Sequence, residues 1–283
     1  TKSEQKTKLL VRKSLVAKKD IKINEAIINL PKEKTRHSFM KKQMKKLDLK
    51  HTFISAVMVS NLNEDDYIKG GMGWQRPLRK TELACFLSHR EAWKRAANSD
   101  THSLILEDDA VLSPSTKVII HDIIGSLKFD FLCLETRFHR KKLIGPTQLT
   151  RKSKVARLYQ DRAGAAAYLL SPAGAKKLYT KSKISKPGLA DAFISSSYEL
   201  EAYQILPALA IQLDQCNIHG LVPEIKTVTS INESRPNDRM GFFLKLRFIT
   251  RRITAQIRLA IRIISKMFIS RFKVIPIAPD FYN

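Results

Sequence analysis

The chain has 283 residues, 43% of them hydrophobic, which is ample for a sizeable core and excludes a wholly disordered protein. Its formal net charge is +25, from 51 Lys and Arg against 26 Asp and Glu, and so large a basic excess implies an anionic neighbour such as nucleic acid, phospholipid headgroups or phosphorylated glycolipid. The three cysteines, Cys85, Cys133 and Cys216, form no CxxC pair, so they indicate neither a zinc site nor a disulfide framework and read as buried free thiols.

Residues 1–24 form a lysine-rich arm with neither an apolar signal core nor an initiator Met, so an upstream segment is an open expectation. The β-branched run Ala26-Ile27-Ile28-Asn29-Leu30, closed by Pro31, predicts a first buried strand. Phe39, Met40, Met44 and Leu47 recur at helical spacing and predict a helix over 33–48, followed by a second strand over 52–59. Gly70-Gly71-Met72-Gly73 marks a loop. A helix is expected over 81–97, then a strand over 103–106 running straight into Glu107-Asp108-Asp109. A helix over 118–127 and strands over 129–134 and 165–170 follow. Ser171-Pro172 opens a further helix to about residue 182.

Alternating strands and helices predict an α/β fold with a Rossmann-like, mostly parallel sheet and flanking helices. In such sheets the ligand lies beyond the carboxyl ends of the strands, where Glu107-Asp108-Asp109 is expected. The last segment differs in kind. From Arg239 to Lys273 there are many basic residues and no acidic ones. On a helical wheel Arg247, Arg251, Arg258 and Arg262 share one sector, opposite Ile249, Ile253, Ile257, Ala260, Ile264 and Met267. The expected organisation is therefore a basic arm (1–24), a principal domain (25–237) and a basic amphipathic C-terminal segment (238–283). No run of about 18 apolar residues suggests a membrane span.

Three carboxylates in a row at a strand end repel one another unless a cation compensates. Hard divalent ions take oxygen ligands and bind through one or two carboxylates plus substrate phosphates, so the cluster suits a metal bridging to a diphosphate. The alternative is a solvated turn before a helix.

The surrounding blocks resemble glycosyltransferase family 25, the lipooligosaccharide-biosynthesis glycosyltransferases. Ile28-Asn29-Leu30 with Lys32 and Arg36 resembles the family's first block. Thr81-Glu82-Leu83-Ala84-Cys85-Phe86-Leu87-Ser88-His89 resembles its Glu-x-x-Cys-x-x-Ser-His helix, and Leu106-Glu107-Asp108-Asp109-Ala110 its acidic motif. Gly164, Ala167 and Tyr168, then Gly174-Ala175-Lys176-Lys177-Leu178, are similar to a later strand and helix, and Pro187 with Asp191 and Pro207 with Gln212 to the last blocks. The chain departs from the pattern at His37, where the family has a second Arg, and in the longer spacing from Pro187 to Asp191.

The resemblance implies a GT-A-type fold, a UDP-sugar donor and an inverting transfer of galactose or glucose to lipooligosaccharide or lipopolysaccharide core. Mn²⁺ or Mg²⁺ would be held by Asp109 and Glu107. Glu107 or Asp108 would touch ribose, and Asp191 would be the general base, with a helix cap as its alternative. Asn29, Lys32, Arg36, Glu82, Ser88, His89 and Gly164 complete the expected nucleotide-sugar site. For His89 a satisfied buried histidine is the competing role, and His219 is a further metal-ligand candidate. A cytoplasmic protein is expected, peripheral at the inner face of the bacterial inner membrane and docked on anionic lipid by its C-terminal helix. No nucleic-acid partner is expected, because aromatics are only 8% of residues and no RNA- or DNA-binding motif appears. A basic nucleic-acid-binding protein and a non-catalytic peripheral membrane protein are the rival readings.

Overall fold

The computed structural model describes residues 22–149, 154–161, 164–226 and 241–282. The predicted basic arm lies outside these, apart from residues 22–24. Strand β1 (Ile23–Asn29) pairs in parallel with β2 (Thr52–Ser55) on one side and β3 (His102–Glu107) on the other. Helix α1 (Lys34–Lys46) links β1 to β2, and helices α2 (Glu64–Gly71) and α3 (Lys80–Ala97) link β2 to β3. Helix α2 starts where Asn63 accepts a hydrogen bond from the Asp66 N–H, with three acids in its first turn favouring the helix dipole.

Beyond β3 come β4 (Ala110–Leu112), α4 (Thr116–Ile124), β5 (Phe131–Cys133), the hairpin β6 (Arg140–Gln148) and β7 (Lys154–Gln160), and β8 (Ala167–Leu170). Helix α5 (Pro172–Ile184) opens with Ser171 capping the Gly174 N–H at 3.0 Å. Helix α6 (Ala190–Ser195) and strands β9 (Ala202–Leu206) and β10 (Ala210–Gln212) precede the C-terminal helix α7 (Phe242–Ser265) and strand β11 (Ser270–Val274).

Among the described residues, nine strands form one sheet in the order β11-β6-β7-β9-β5-β8-β3-β1-β2. Strands β1, β2, β3, β5, β6 and β9 point one way and β7, β8 and β11 the other. The expected α/β class and shared majority direction hold, and the layered arrangement is consistent with a Rossmann-like GT-A fold. The sheet is nonetheless mixed, because β8 inserts antiparallel between β3 and β5.

Side-chain alternation along the strands divides the core into two layers. Ile27, Leu104, Leu106 and Leu132 face α1 and α4, whose Phe39, Met40, Met44, Ile119, Ile120 and Ile123 are buried. Ile28, Ile105, Phe131 and Tyr168 face α3, α5 and α6 through Phe86, Trp93, Leu178 and Phe193. Gly174 lets α5 approach closely: a Cβ there would lie 2.1 Å from the Asp130 carbonyl oxygen.

The C-terminal segment is not a separate appendage, and its expected helix over 239–273 is too long. The helix stops at Ser265, β11 joins the sheet antiparallel to β6, and Ile275 and Ile277 enter the core. Asp280 then accepts hydrogen bonds from the Ser113 hydroxyl and the Ser115 N–H at 2.8 and 2.9 Å, tying the tail to the segment after β4. The principal domain thus includes residues assigned from sequence to 238–283.

Candidate active site

The parallel order β2-β1-β3 brings the carboxyl ends of β1 and β3 together. Ile28 pairs with Glu107, so Asn29 and the residue after Glu107 stand side by side. The Asn29 amide donates to Asp108 at 2.8 Å, and the Arg36 guanidinium, from the first turns of α1, donates to the same carboxylate at 3.1 Å. All three residues are buried. Burial raises the Asp108 carboxyl above its ordinary value, although Arg36 and Asn29 pull it back. Asp108 is therefore the electrostatic anchor of α1, its oxygens taken by Arg36 and Asn29.

Glu107 is engaged differently. Trp93 Nε1, which can only donate, gives a hydrogen bond to the Tyr168 hydroxyl at 2.9 Å. The Tyr168 hydroxyl also meets His89 Nδ1 at 2.9 Å, and His89 Nε2 lies 3.0 Å from Glu107 Oε1, so both ring nitrogens are engaged. Gln212 reaches the other Glu107 oxygen at 3.3 Å. Burial raises the Glu107 carboxyl, but the His89 hydrogen bond, helped by the charges of Arg137 and Arg36, outweighs it and holds it below its ordinary value. His89 is fully buried, so its role as a satisfied core histidine and its contact with the acidic cluster coincide.

Asp109 has the weakest compensation. Its Oδ2 is 4.0 Å from Arg36, while its buried Oδ1 has no hydrogen-bond partner. Burial, with the negative charges of Glu107, Asp108 and Asp214, pushes its carboxyl up to about 7, against the opposing pull of Arg36. The antiparallel ribbon β4–β10 holds it in place, with the Leu213 N–H on the Asp109 carbonyl at 2.9 Å. A buried, donor-less carboxylate oxygen in a cluster of like charge has the chemistry to accept a hard divalent cation, which Asp109 and Glu107 would hold.

Asp191, in the first turn of α6, lies close enough to Glu107 for its charge to act on it. It is not the N-cap, which is Leu189. Its Oδ1 accepts from the Ala192 N–H at 2.6 Å, and burial followed by the Glu107 and Asp161 charges outweighs that bond and raises the carboxyl. Cys85 lies among the same groups: burial, then Glu107, Asp191 and Asp109, push its thiol far above its ordinary value. Its sulfur, His89 and Glu107 bring ligand atoms within 4.8 Å of one another. Both His89 nitrogens are already engaged, so the trio reads as the packed wall of the site.

Several residues expected to bind nucleotide are occupied internally. Glu82 forms a two-pronged pair with Arg76 at 2.8 Å and accepts from the Arg79 N–H, closing the start of α3. Ser88 donates to the Ala84 carbonyl and accepts from the Val57 N–H, tying the segment after β2 to α3. Gly164 has φ +115°, and a Cβ there would lie 2.7 Å from Glu135 Oε1, so it shapes the backbone around Glu135. Lys32 is exposed on the turn after β1. The His219 ring lies against Phe138 at 5.9 Å, and its expected part in a metal shell gains no support.

Sequence reasoning missed Glu135. It is buried at the end of β5, accepts from the Ala166 N–H at 2.7 Å, and is pushed up to about 8 by burial despite nearby Lys141. It also missed Lys141, buried between Asp161 at 2.7 Å and Gln204 at 2.8 Å. A Lys within a strand pattern signals a surface face unless its acidic partner, here 20 residues on, is known.

A family model described as glycosyltransferase family 25 (LPS biosynthesis protein) matches residues 22–194, which contain Asn29, Arg36, His89, the three adjacent carboxylates and Asp191 but not Gln212. The chain belongs to glycosyltransferase family 25. It is also similar to procollagen galactosyltransferase 1-B of Xenopus laevis, 25% identical over 244 residues that cover 75% of this chain and 39% of the relative. Procollagen galactosyltransferase 1-A of the same organism is 26% identical over 189 residues, 61% of this chain and 30% of the relative. The chain thus spans well under half the length of these curated relatives. Family membership supports a glycosyltransferase.

Proposed function

We propose that this family 25 chain is a metal-dependent, inverting glycosyltransferase that moves a hexose from a UDP-sugar to a lipooligosaccharide acceptor. The observation that carries this reading is the acidic cluster after β3, where Asp108 is paired with Arg36 while Asp109 keeps a buried oxygen without a donor. A bound Mn²⁺ or Mg²⁺ would supply charge to the departing diphosphate. Asp109 would hold that ion together with Glu107, which His89 and Gln212 keep in place. Arg36 limits the repulsion among the carboxylates, and Lys32, exposed just after β1, would meet a donor phosphate.

Asp191 accepts the proton of the acceptor hydroxyl as general base, its carboxyl raised above its ordinary value by burial and so made more basic. The names of the two relatives favour galactose as the first sugar to test. The decisive experiment presents UDP-galactose, UDP-glucose and UDP-N-acetylglucosamine to the purified chain with Mn²⁺ or EDTA. Mn²⁺-stimulated release of UDP from one donor is expected, and release that persists undiminished in EDTA overturns the metal-dependent reading.

A further inference from the structure

Two arginines of helix α7, Arg251 and Arg262, meet the protein body, whereas its main isoleucine row does not. Arg251 donates to the carbonyls of Met72 and Trp74 at 2.8 and 3.2 Å. Arg262 donates to the Tyr159 carbonyl at 3.0 Å and stacks over the rings of Tyr159 and Tyr198. Phe248 is buried beneath, and Lys142 donates to the Ile263 carbonyl at 2.8 Å. The helix is thereby fixed in rotation, and its apolar stripe faces outward: Ile249, Ile253, Ile257, Ile261 and Ile264 are 51, 49, 54, 63 and 65% exposed.

The stripe is bordered on both sides by exposed cations. At about 100° per residue, Lys245 and Arg252 fall along one edge and Arg247 and Arg258 along the other. Exposed phenylalanines stand at its two ends, Phe242 and Phe243 before it and Phe268 after it. No acidic residue occurs from Phe242 to Val274. At about 1.5 Å per residue the helix is roughly 36 Å long and the stripe from Ile249 to Ile264 about 23 Å, yet among the described residues no helix is long and apolar enough to cross a membrane.

We infer that the outward face of α7 lies flat in the headgroup region of an anionic lipid bilayer. The apolar stripe enters the acyl boundary, and Lys245, Arg247, Arg252 and Arg258 meet lipid phosphates at its edges. Charge decides against a second copy of the chain as occupant. Two such faces packed together would bring cationic edges against cationic edges with no acid in either helix to compensate. The inference does not rest on the transfer reaction. It does place the elements beside α7, the Met72–Trp74 loop and Tyr198 just after α6, next to a lipid surface.

The test is co-sedimentation of the full chain with vesicles of equal parts phosphatidylcholine and phosphatidylglycerol, against pure phosphatidylcholine. The protein is expected to pellet with the anionic vesicles and to be released by salt. Ile253→Asp with Ile257→Asp should weaken binding at least about tenfold, through lost apolar burial. Arg247→Gln with Arg258→Gln should cost about fivefold per residue on anionic vesicles only. Circular dichroism and melting temperature verify folding, and the arginine pair reads the effect if the isoleucine pair misfolds. A folded, monomeric chain that ignores anionic vesicles overturns the inference, as does an isoleucine variant that binds like the parent. A dimer that the isoleucine substitutions dissociate, with no vesicle binding, would assign the face to a second copy instead. Because the assay reads lipid and not turnover, its outcome is independent of the proposed catalysis.

Discussion

Asp109→Asn should make the metal-free protein more stable while abolishing its response to Mn²⁺. In the folded chain burial and the neighbouring carboxylates push Asp109 from 3.8 up to about 7. A carboxyl raised on folding contributes stability that is complete below its ordinary value and is lost as pH rises toward the folded value. At pH 8 the ionised side chain is thus a net burden on the metal-free fold. At about 1.4 kcal/mol per pH unit the interval corresponds to about 4 kcal/mol as an upper bound. The side chain keeps some solvent contact, and Glu107 and Arg36 readjust when the charge goes, so about 1–3 kcal/mol is the expected gain. In a domain of this size that raises the melting temperature by roughly 2–10 °C in EDTA. Mn²⁺ at about 100 times its Kd would stabilise the parent by about 2.7 kcal/mol and the variant scarcely at all. Thermal unfolding at pH 8, with Mn²⁺ or EDTA, reads both effects. If Asp109→Asn melts at or below the parent in EDTA, or gains as much from Mn²⁺, the electrostatic account of the cluster is wrong.

Two further substitutions separate chemistry from scaffold. Asp191→Asn should lower sugar transfer by about 10²–10⁴ with donor affinity unchanged, and lost UDP affinity at full turnover would make Asp191 a binding residue instead. Gly164→Ala forces a side chain into a left-handed backbone, 2.7 Å from Glu135, and should cost about 2–4 kcal/mol in urea unfolding without altering its slope; a change below about 0.5 kcal/mol refutes the packing role.

Where periodicity governs the fold, the sequence carried the information. Helix α3 keeps Leu83, Phe86, Trp93 and Ala96 on a buried face, and its bounds fall within one residue of those predicted. The hairpin β6–β7 was illegible because Lys141 and Lys142 occupy buried positions that break the apolar alternation. Lys141 is admissible there only because Asp161 and Gln204 meet its ammonium group, a pairing set by tertiary structure. Strand β11 was lost for a related reason: Ser270-Arg271-Phe272-Lys273-Val274 is mostly exposed at the sheet edge and continues the basic pattern of the helix before it. On α7 the amphipathic period was plain, but periodicity does not say which face meets the body. Carbonyls at Met72, Trp74 and Tyr159 and two tyrosine rings decide that.

The acidic cluster marks the same boundary within the site. In the sequence Glu107, Asp108 and Asp109 are three adjacent carboxylates with nothing to rank them. The parallel pairing of β1 with β3 delivers Asn29 and Arg36 to Asp108, and the helix opposite delivers His89 to Glu107. Two of the three are thereby compensated before any ligand arrives, and the remaining unmet charge concentrates on Asp109. A cation drawn to that oxygen would not have to compete with Arg36 for Asp108 or with His89 for Glu107 Oε1. The neighbours would keep the cluster folded while Asp109 stays available, and that division of labour is why replacing Asp109 should relieve the metal-free fold, whereas removing Arg36 would leave a buried carboxylate without its cation.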